Sequence, residues 1–333
     1  MDAHIRRRSA PLLAVWVIAL VAVVAGCGLF GGSSPGAAGT TGPERPKIKV
    51  GAMTIIDAAP VWIAQQKGYF AQEGLDVQLE TVAGAAVAVP KIVSGDLQFT
   101  YGAYVPYFQA QAKGAADLKI VADSYQTAAN IFMIMVRRDS PIKSPKDLAG
   151  KRIATNTKNS ITDLLAKSAL DTNGVDYSSV TWVEFPFPDM QARLADGSVD
   201  AAVMLEPYVT QAERSIGATP VLDTSSGPTA NFPISGYAGS AKFVNDNPRT
   251  TEAFRRALTR ASTDAQQRPV VEAAVEQYAK IDKSVASLVG IGTFPTSIDR
   301  TRLQRTLDLM KRYQMLTGDV DINTMLLDTP AAK

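Results

Sequence analysis

The sequence predicts an α/β fold, and three observations predict it. Short apolar strands alternate with helix-length segments from Ile48 to Tyr101, a similar alternation returns from Arg152 to Met204, and between them Ile131-Phe132-Met133-Ile134-Met135-Val136 is apolar without a break. Strands and helices alternating at this length pair in parallel through right-handed crossovers. The unbroken apolar run suits a strand covered on both faces. Loops then collect at the carboxyl ends of the strands, where ligands of such sheets bind.

The first unit reads as strand Ile48 to Met53, helix Pro60 to Gln66, strand Leu75 to Val82, helix Val87 to Ser94 and strand Leu97 to Tyr101. Gly68 suits the end of a helix, Tyr69 and Phe70 can pin that end to the sheet, and Gly74 supplies a tight turn into Leu75. Gly102-Ala103-Tyr104-Val105-Pro106 then turns into a helix from Tyr107 to Lys113, followed by strands Leu118 to Ala122 and Ile131 to Val136.

The second unit opens with Ser144-Pro145-Lys146-Asp147-Leu148-Ala149-Gly150, a helical turn stopped at Gly150, and a strand Arg152 to Thr155. Leu164 to Asn173 is a helix with Gly174 just beyond its end. Val180 to Glu184 and Val199 to Met204 read as strands, with a helix Met190 to Ala195 between them. The Gly95-Asp96 and Gly197-Ser198-Val199-Asp200 segments occupy similar places in the two units. Glu206-Pro207-Tyr208 begins the next helix, and Thr219 to Leu222 and Ile234 to Ser240 read as strands. Pro248 suits the first turn of a long amphipathic helix to Gln267, with Phe254, Ala257, Leu258 and Ala261 on one face. Helices near Val270 to Lys280 and Ile298 to Tyr313 complete the chain and are expected on the first unit.

At the amino terminus Arg6-Arg7-Arg8 precede an apolar run, Leu12 to Ala25, that is short for a membrane span, and small residues lead to Cys27. This is the pattern of a secretory signal over residues 1–26. Val24-Ala25-Gly26-Cys27 resembles a bacterial lipobox, which implies cleavage before Cys27 and lipid on its sulfur, since two or more buried acyl chains hold a protein on a membrane where one does not. Residues 27–46 are rich in Gly, Ser, Thr, Ala and Pro; as a flexible tether Gly28 to Pro46 would span on the order of 24 Å. The whole chain of 333 residues carries a formal charge of +2, and loss of the signal removes three arginines and one aspartate, which balances it. The basic footprint of a nucleic-acid binder is absent. Cys27 is the only cysteine and His4 the only histidine. With both at the amino terminus, disulfides and thiolate or Ser-His-Asp catalysis are excluded from the folded part and a zinc centre is disfavoured there, and a chain of this size buries enough core without such staples.

Ala64-Gln65-Gln66-Lys67-Gly68-Tyr69-Phe70-Ala71-Gln72-Glu73-Gly74-Leu75-Asp76-Val77 with Ser94-Gly95-Asp96-Leu97-Gln98-Phe99 resembles the opening of the solute-binding proteins of ABC importers, in the subgroup that takes nitrate, alkanesulfonates, taurine or thiamine-precursor pyrimidines. Asp147-Leu148-Ala149-Gly150-Lys151 is similar to that family's start of a second lobe, and Lys242 to Pro248 to its return to the first. The resemblance runs from Lys47 to about Asp328. It implies a type II periplasmic-binding-protein fold: two βα lobes joined by two crossover strands, lobe 1 from 47–137 and 240–333, lobe 2 from 138–239. It also implies hinge closure around a small molecule, an ABC permease and its ATPase as partners, an extracytoplasmic position on the cell membrane through a lipid anchor, a monomer, no cofactor, no metal and no catalysis. The solute expected first is a sulfonate or taurine-like compound, and second a thiamine-precursor pyrimidine or related heterocycle. The pyrimidine-precursor synthase of the same fold depends on cysteine and histidine, which this folded part lacks. A sensor domain would need a membrane span after the last helix.

Strand ends nominate the site. Asn156, Asn159 and Ser160 lie where a strand end meets a helix start, so exposed N–H groups, hydroxyls and amides converge on an anionic group there. Their bland alternative is ordinary helix capping. The resemblance lets backbone approach the ligand at Gly102 and Ala103, with Tyr101, Tyr104 and Tyr107 clustered around; tyrosines are most often half-buried packing residues. Trp62 stands on the first helix as core or platform, and Asp57 in the loop before it as cap or cleft group. Glu206, before a proline, can accept N–H groups from an amine or aminopyrimidine or pair with a lysine. Tyr237, on the returning strand, completes the candidates. With Asp57 and Glu206 both in the cleft, a bare anion such as nitrate is disfavoured against a zwitterion or polar heterocycle.

Overall fold

The computed structural model describes residues 42–327; the expected signal, Cys27 and most of the tether lie outside them. Ten strands form in chain order: β1 Lys47–Ala52, β2 Asp76–Thr81, β3 Phe99–Ala103, β4 Leu118–Gln126, β5 Phe132–Val136, β6 Arg152–Thr155, β7 Thr181–Glu184, β8 Ala201–Leu205, β9 Thr219–Asp223 and β10 Pro233–Ser240. They make two five-stranded sheets, ordered β2-β1-β3-β10-β4 and β7-β6-β8-β5-β9. In each, four strands run in one direction, three of them paired side by side through the crossover helices the alternation predicts, and one returning strand, β10 or β5, runs antiparallel to its two neighbours. This is the expected α/β class.

The hand-overs between sheets fall earlier than the sequence suggests. β5, expected at the end of the first lobe, pairs with β8 and β9 of the second sheet, and β10, mostly assigned to the second lobe, pairs with β3 and β4 of the first. The crossing segments are therefore 127–131 and 224–232. Neighbouring apolar strands compete for the same runs, and only sheet order decides between them. The crossings are stitched together: Thr127 Oγ1 donates to Ser225 Oγ at 3.0 Å, and the N–H of Phe132 donates to the same oxygen at 3.2 Å. Both hydroxyl residues are buried.

The second sheet carries its own apolar layer, with Ile134, Val136, Ile153, Ala201 and Val203 against Leu148, Ala166 and Leu170. The first is covered by the helix Pro248–Asp264, whose buried Phe254, Ala257, Leu258 and Ala261 follow the predicted spacing. Phe254 stacks on Phe99 at a centroid distance of 4.4 Å. Two expectations change here. The end of the supposed tether is docked: Glu44 accepts the N–H groups of Arg249 and Thr250 at 3.0 and 2.8 Å, and Arg249 Nε donates to the Gly42 carbonyl. A helix start offers unpaired N–H groups, so a nearby carboxylate is drawn onto it. The helix Arg300–Arg312, expected on the first lobe, also reaches the second, where Arg312 and Tyr313 both donate to Asp171 Oδ2 at 2.9 Å.

Candidate functional site

A cavity of about 100 Å³ lies between the two sheets. From the first sheet come the loop after β1 with Met53, Ile55 and Asp57, the helix start Gly84 to Ala86 after β2, and Tyr101 and Ala103 on β3; Pro106 and Gln109 of the following helix join them. From the second come Asn156 to Thr162 after β6, Phe187 after β7 and Leu205 at the end of β8. The carboxyl ends of the parallel strands of both sheets thus meet across one space, which the fold dictates. Phe132 and Ile234, at the entrances of the two antiparallel strands, close it.

Most of the wall is hydrocarbon, and its polar groups sit at two ends. At the second-sheet end the helix Ile161–Thr172 begins. Ser160 caps it by accepting the Asp163 N–H, and Ser160 Oγ lies 2.8 Å from Thr162 Oγ1. Asp163 also accepts the Asn159 N–H at 2.9 Å, and the Lys158 N–H goes to Glu184 at 2.6 Å. The N–H groups of Ile161 and Thr162 have no intrahelical carbonyl within reach, and the Lys158 side chain belongs to the same wall. This end suits an acceptor or anion. Gln109 Nε2 donates to the Asn159 carbonyl at 3.0 Å, a direct link across the cleft.

At the first-sheet end sits Asp57, 1% exposed. Its carbonyl accepts from Ser124 Oγ at 2.8 Å, but its carboxyl Oδ1 has no hydrogen-bond partner. Burial pushes this carboxyl up to about 8, against a weaker pull from its own N–H, so it is mostly protonated at neutral pH.

Of the sequence-nominated residues, Asp57, Tyr101, Ala103, Asn156, Asn159 and Ser160 come together on the cavity wall. Five stand off it. Gly102 alternates to the other face of β3, where a Cβ would lie 2.5 Å from that of Ala85 and 2.7 Å from Tyr107 Oη. Tyr104 is buried and donates to Asp123 Oδ1 at 2.7 Å, on the side held by Arg302. Trp62 stacks on Tyr278 and donates to the Met53 carbonyl at 2.8 Å, so it props the loop from behind. Tyr237, cross-strand from Tyr101, accepts the Val61 N–H at 3.1 Å. Glu206 is the largest departure: Thr210 N–H and Oγ1 and the Gly290 N–H, at 3.1, 2.8 and 3.0 Å, occupy its carboxylate, and burial raises its pKa.

Sequence reasoning missed Phe132, Phe187, Leu205, Ile234 and Gln109. The strand-end rule applied to β7 and β8 reaches Phe187 and Leu205. Phe132 and Ile234 lie on antiparallel strands whose starting ends face the cleft, and no local signal marks them.

Two α/β lobes, strand ends turned toward a shared cavity and a pair of laced crossings define the class of periplasmic-binding-protein folds. The chain belongs to the NMT1/THI5-like family, whose model matches residues 55–272. Among solved structures, the periplasmic aliphatic sulphonate binding protein SsuA of Escherichia coli superposes with a TM-score of 0.69 at 20% identity, over 84% of this chain and 96% of that one. The alkanesulfonate-binding SsuA of Xanthomonas axonopodis pv. citri, bound to MOPS, gives 0.73 at 17% over 85% and 98%. Similarity at this level is similarity of fold. The nitrate/nitrite binding protein NrtA of Synechococcus elongatus is 26% identical over 258 residues, 69% of this chain, which spans 58% of NrtA's length.

Proposed function

We propose that this protein is the solute-binding component of an ABC importer, held outside the cytoplasm by a lipid on Cys27 and acting as a monomer. It closes on a small polar organic solute between its lobes and presents it, unchanged, to a permease driven by a separate ATPase. The observation that carries this reading is the small cavity walled by strand ends of both sheets, with the two crossings as hinge. The only imidazole and thiol of the sequence are at positions 4 and 27, so the cavity wall has neither and carries no Ser-His or Cys-His pair.

A sulfonate or taurine-like solute is the first reading for the ligand: its anionic end fits the Asn156 to Thr162 helix start with Lys158, and its short chain fits the apolar walls. The relatives named for aliphatic sulphonate and nitrate binding support an oxyanion at that end. A thiamine-precursor pyrimidine is the second reading, favoured by Asp57: a protonated carboxyl donates once and accepts once, the pattern an aminopyrimidine edge meets, and Phe132 and Phe187 offer faces to a ring.

The test is a thermal-shift panel of sulfonates, taurine, nitrate and aminopyrimidines on the purified protein, paired with small-angle scattering. A ligand at 100 times its Kd stabilises by about 2.7 kcal/mol and should contract the scattering envelope. Turnover of any panel member, or unchanged scattering and melting with all of them, refutes the proposal.

A further inference from the structure

Four carboxylates are buried among the described residues, and three have their partners inside the protein. Asp123 holds Arg302 and Tyr104, Asp163 holds Lys167 and the Asn159 N–H, and Glu206 holds Thr210 and Gly290. Asp57 is the exception. It lines the cavity, and although the Oδ1 of Asp163 also meets no donor, Asp57 is the one of the four whose carboxyl receives no hydrogen bond or ion pair from another residue. None of the hydroxyls around it bonds to Oδ1: Tyr278 donates to the Ile55 carbonyl, and the Tyr125 and Tyr237 oxygens accept the Gly292 and Val61 N–H groups. Ser235, in register with Ala103, is buried beside Tyr101 at this end of the β3–β10 pair.

An unpaired buried carboxyl lowers stability, and an apolar side chain would fill the place without that loss. In native proteins such groups call for a specific explanation, and a strongly perturbed acid in a cleft is a functional-site candidate. The missing partner must come from what fills the cavity. We infer that the solute carries a basic nitrogen with N–H groups, an amine or amidine, and that Asp57 is the group that receives it. This rests on the cleft-binding function proposed above and narrows it. A solute with acceptor groups only can take the carboxyl proton but leaves Oδ1 without a donor, and binds weakly; one with nitrogen at one end and an acceptor at the other spans from Asp57 to the Asn156 to Thr162 turn. Taurine-like zwitterions and aminopyrimidines keep their place on this criterion, and simple alkanesulfonates and nitrate lose theirs.

The chemistry sets a pH dependence as well. To hold a cation Asp57 must ionise, and burial keeps its proton on up to about 8. Tyr101 on β3, Tyr125 on β4 and Tyr278 on the helix Arg268–Tyr278 face it, and burial raises all three well above the usual phenol range, so they stay protonated throughout. Glu206 acts on Tyr125 from the far side, and Lys158 stands across the cavity. Affinity for a fixed cation therefore falls about tenfold for each pH unit below 8.

The experiment compares matched pairs by calorimetry: taurine against ethanesulfonate, and 4-amino-2-methylpyrimidine against 2-methylpyrimidine, on the wild-type protein, on Asp57→Asn and on Asp57→Leu. The expected result is at least one pair in which the amino member binds about 100-fold tighter or more, because a site built to bond an N–H discriminates strongly against its absence. The taurine gap shrinks to a few-fold in Asp57→Asn, which keeps an acceptor but cannot ionise, and taurine, if it is the binder, weakens about tenfold per unit from pH 8 to pH 6 in the wild type. Should Asp57→Asn fail to fold, the pair gap and the pH series on the wild type decide alone. Binding by the amine-free members as tight as by their partners overturns the assignment of Asp57 and leaves the solute-binding function standing. A taurine gap that persists in Asp57→Asn, or a pyrimidine gap that persists in Asp57→Leu, overturns the assignment too, and silence from every compound counts against both.

Discussion

Asp57→Asn should make the empty protein more stable, by an amount that grows with pH. In the unfolded chain this carboxyl titrates at 3.8, and in the fold at about 8. Between those values the folded state holds a proton that the unfolded state has lost, so stability falls as pH rises, by about 1.4 kcal/mol per unit. The direction follows from a folded pKa that is raised: an acid of this kind costs nothing below 3.8 and its full amount above 8. Some four units give a ceiling of about 6 kcal/mol; water entering the cavity and local relaxation reduce it, and 2 to 4 kcal/mol is the working expectation. Asparagine has nearly the same shape and cannot ionise. Urea unfolding followed by tryptophan fluorescence, wild type against variant, should give about a fifth of the difference at pH 4.5 and nearly all of it at pH 8. The titration of Asp123 is common to both proteins and cancels. A difference that does not change with pH, or a variant less stable at pH 8, refutes the account of Asp57 as a buried carboxyl without a partner.

Arg302→Met should destabilise by about 3 to 5 kcal/mol, because it leaves Asp123, 4% exposed and already raised to about 6 by burial against the pull of Arg302, without its cation; urea titration should show Asp123→Leu with Arg302→Met recovering much of the loss. Glu44→Ala should cost about 1 to 2 kcal/mol at neutral pH, as it uncaps the helix Pro248–Asp264. The N–H groups of Arg249 and Thr250 outweigh burial and hold Glu44 near 2, against 4.5 unfolded. Its contribution is therefore present above pH 4.5 and lost as pH falls toward 2, and melting temperatures of wild type and variant should converge there.

Local chemistry made much of this protein legible. Gly68, Gly74 and Gly95 adopt the left-handed backbone, with φ of 69, 76 and 82°, at the helix ends and turn where their lack of a Cβ matters. Ser160 caps its helix as a strand-to-helix junction requires, although the helix begins at Ile161, one turn ahead of the apolar spacing that suggested Leu164. Alternation along β3 also separates Tyr101 and Ala103, which face the cavity, from Gly102, which faces Ala85. Those readings need only neighbours in the chain.

The rest is decided by partners far apart in sequence. Glu206 stands at a strand end like the residues that line the cleft, and it is withdrawn from the ligand because Gly290, 84 positions later, offers its N–H first. Asp57 reads as an ordinary helix-entry acid until the fold sets Tyr101, Tyr125 and Tyr278 around it and brings no cation. Periodicity and turn residues, which act over a few residues, determined the α/β class and the strand ends where a ligand could sit. Only the tertiary structure decided which sheet takes β5 and β10 and which of the nominated polar groups remain unpaired, because satisfying a buried polar atom depends on distance in space and not along the chain.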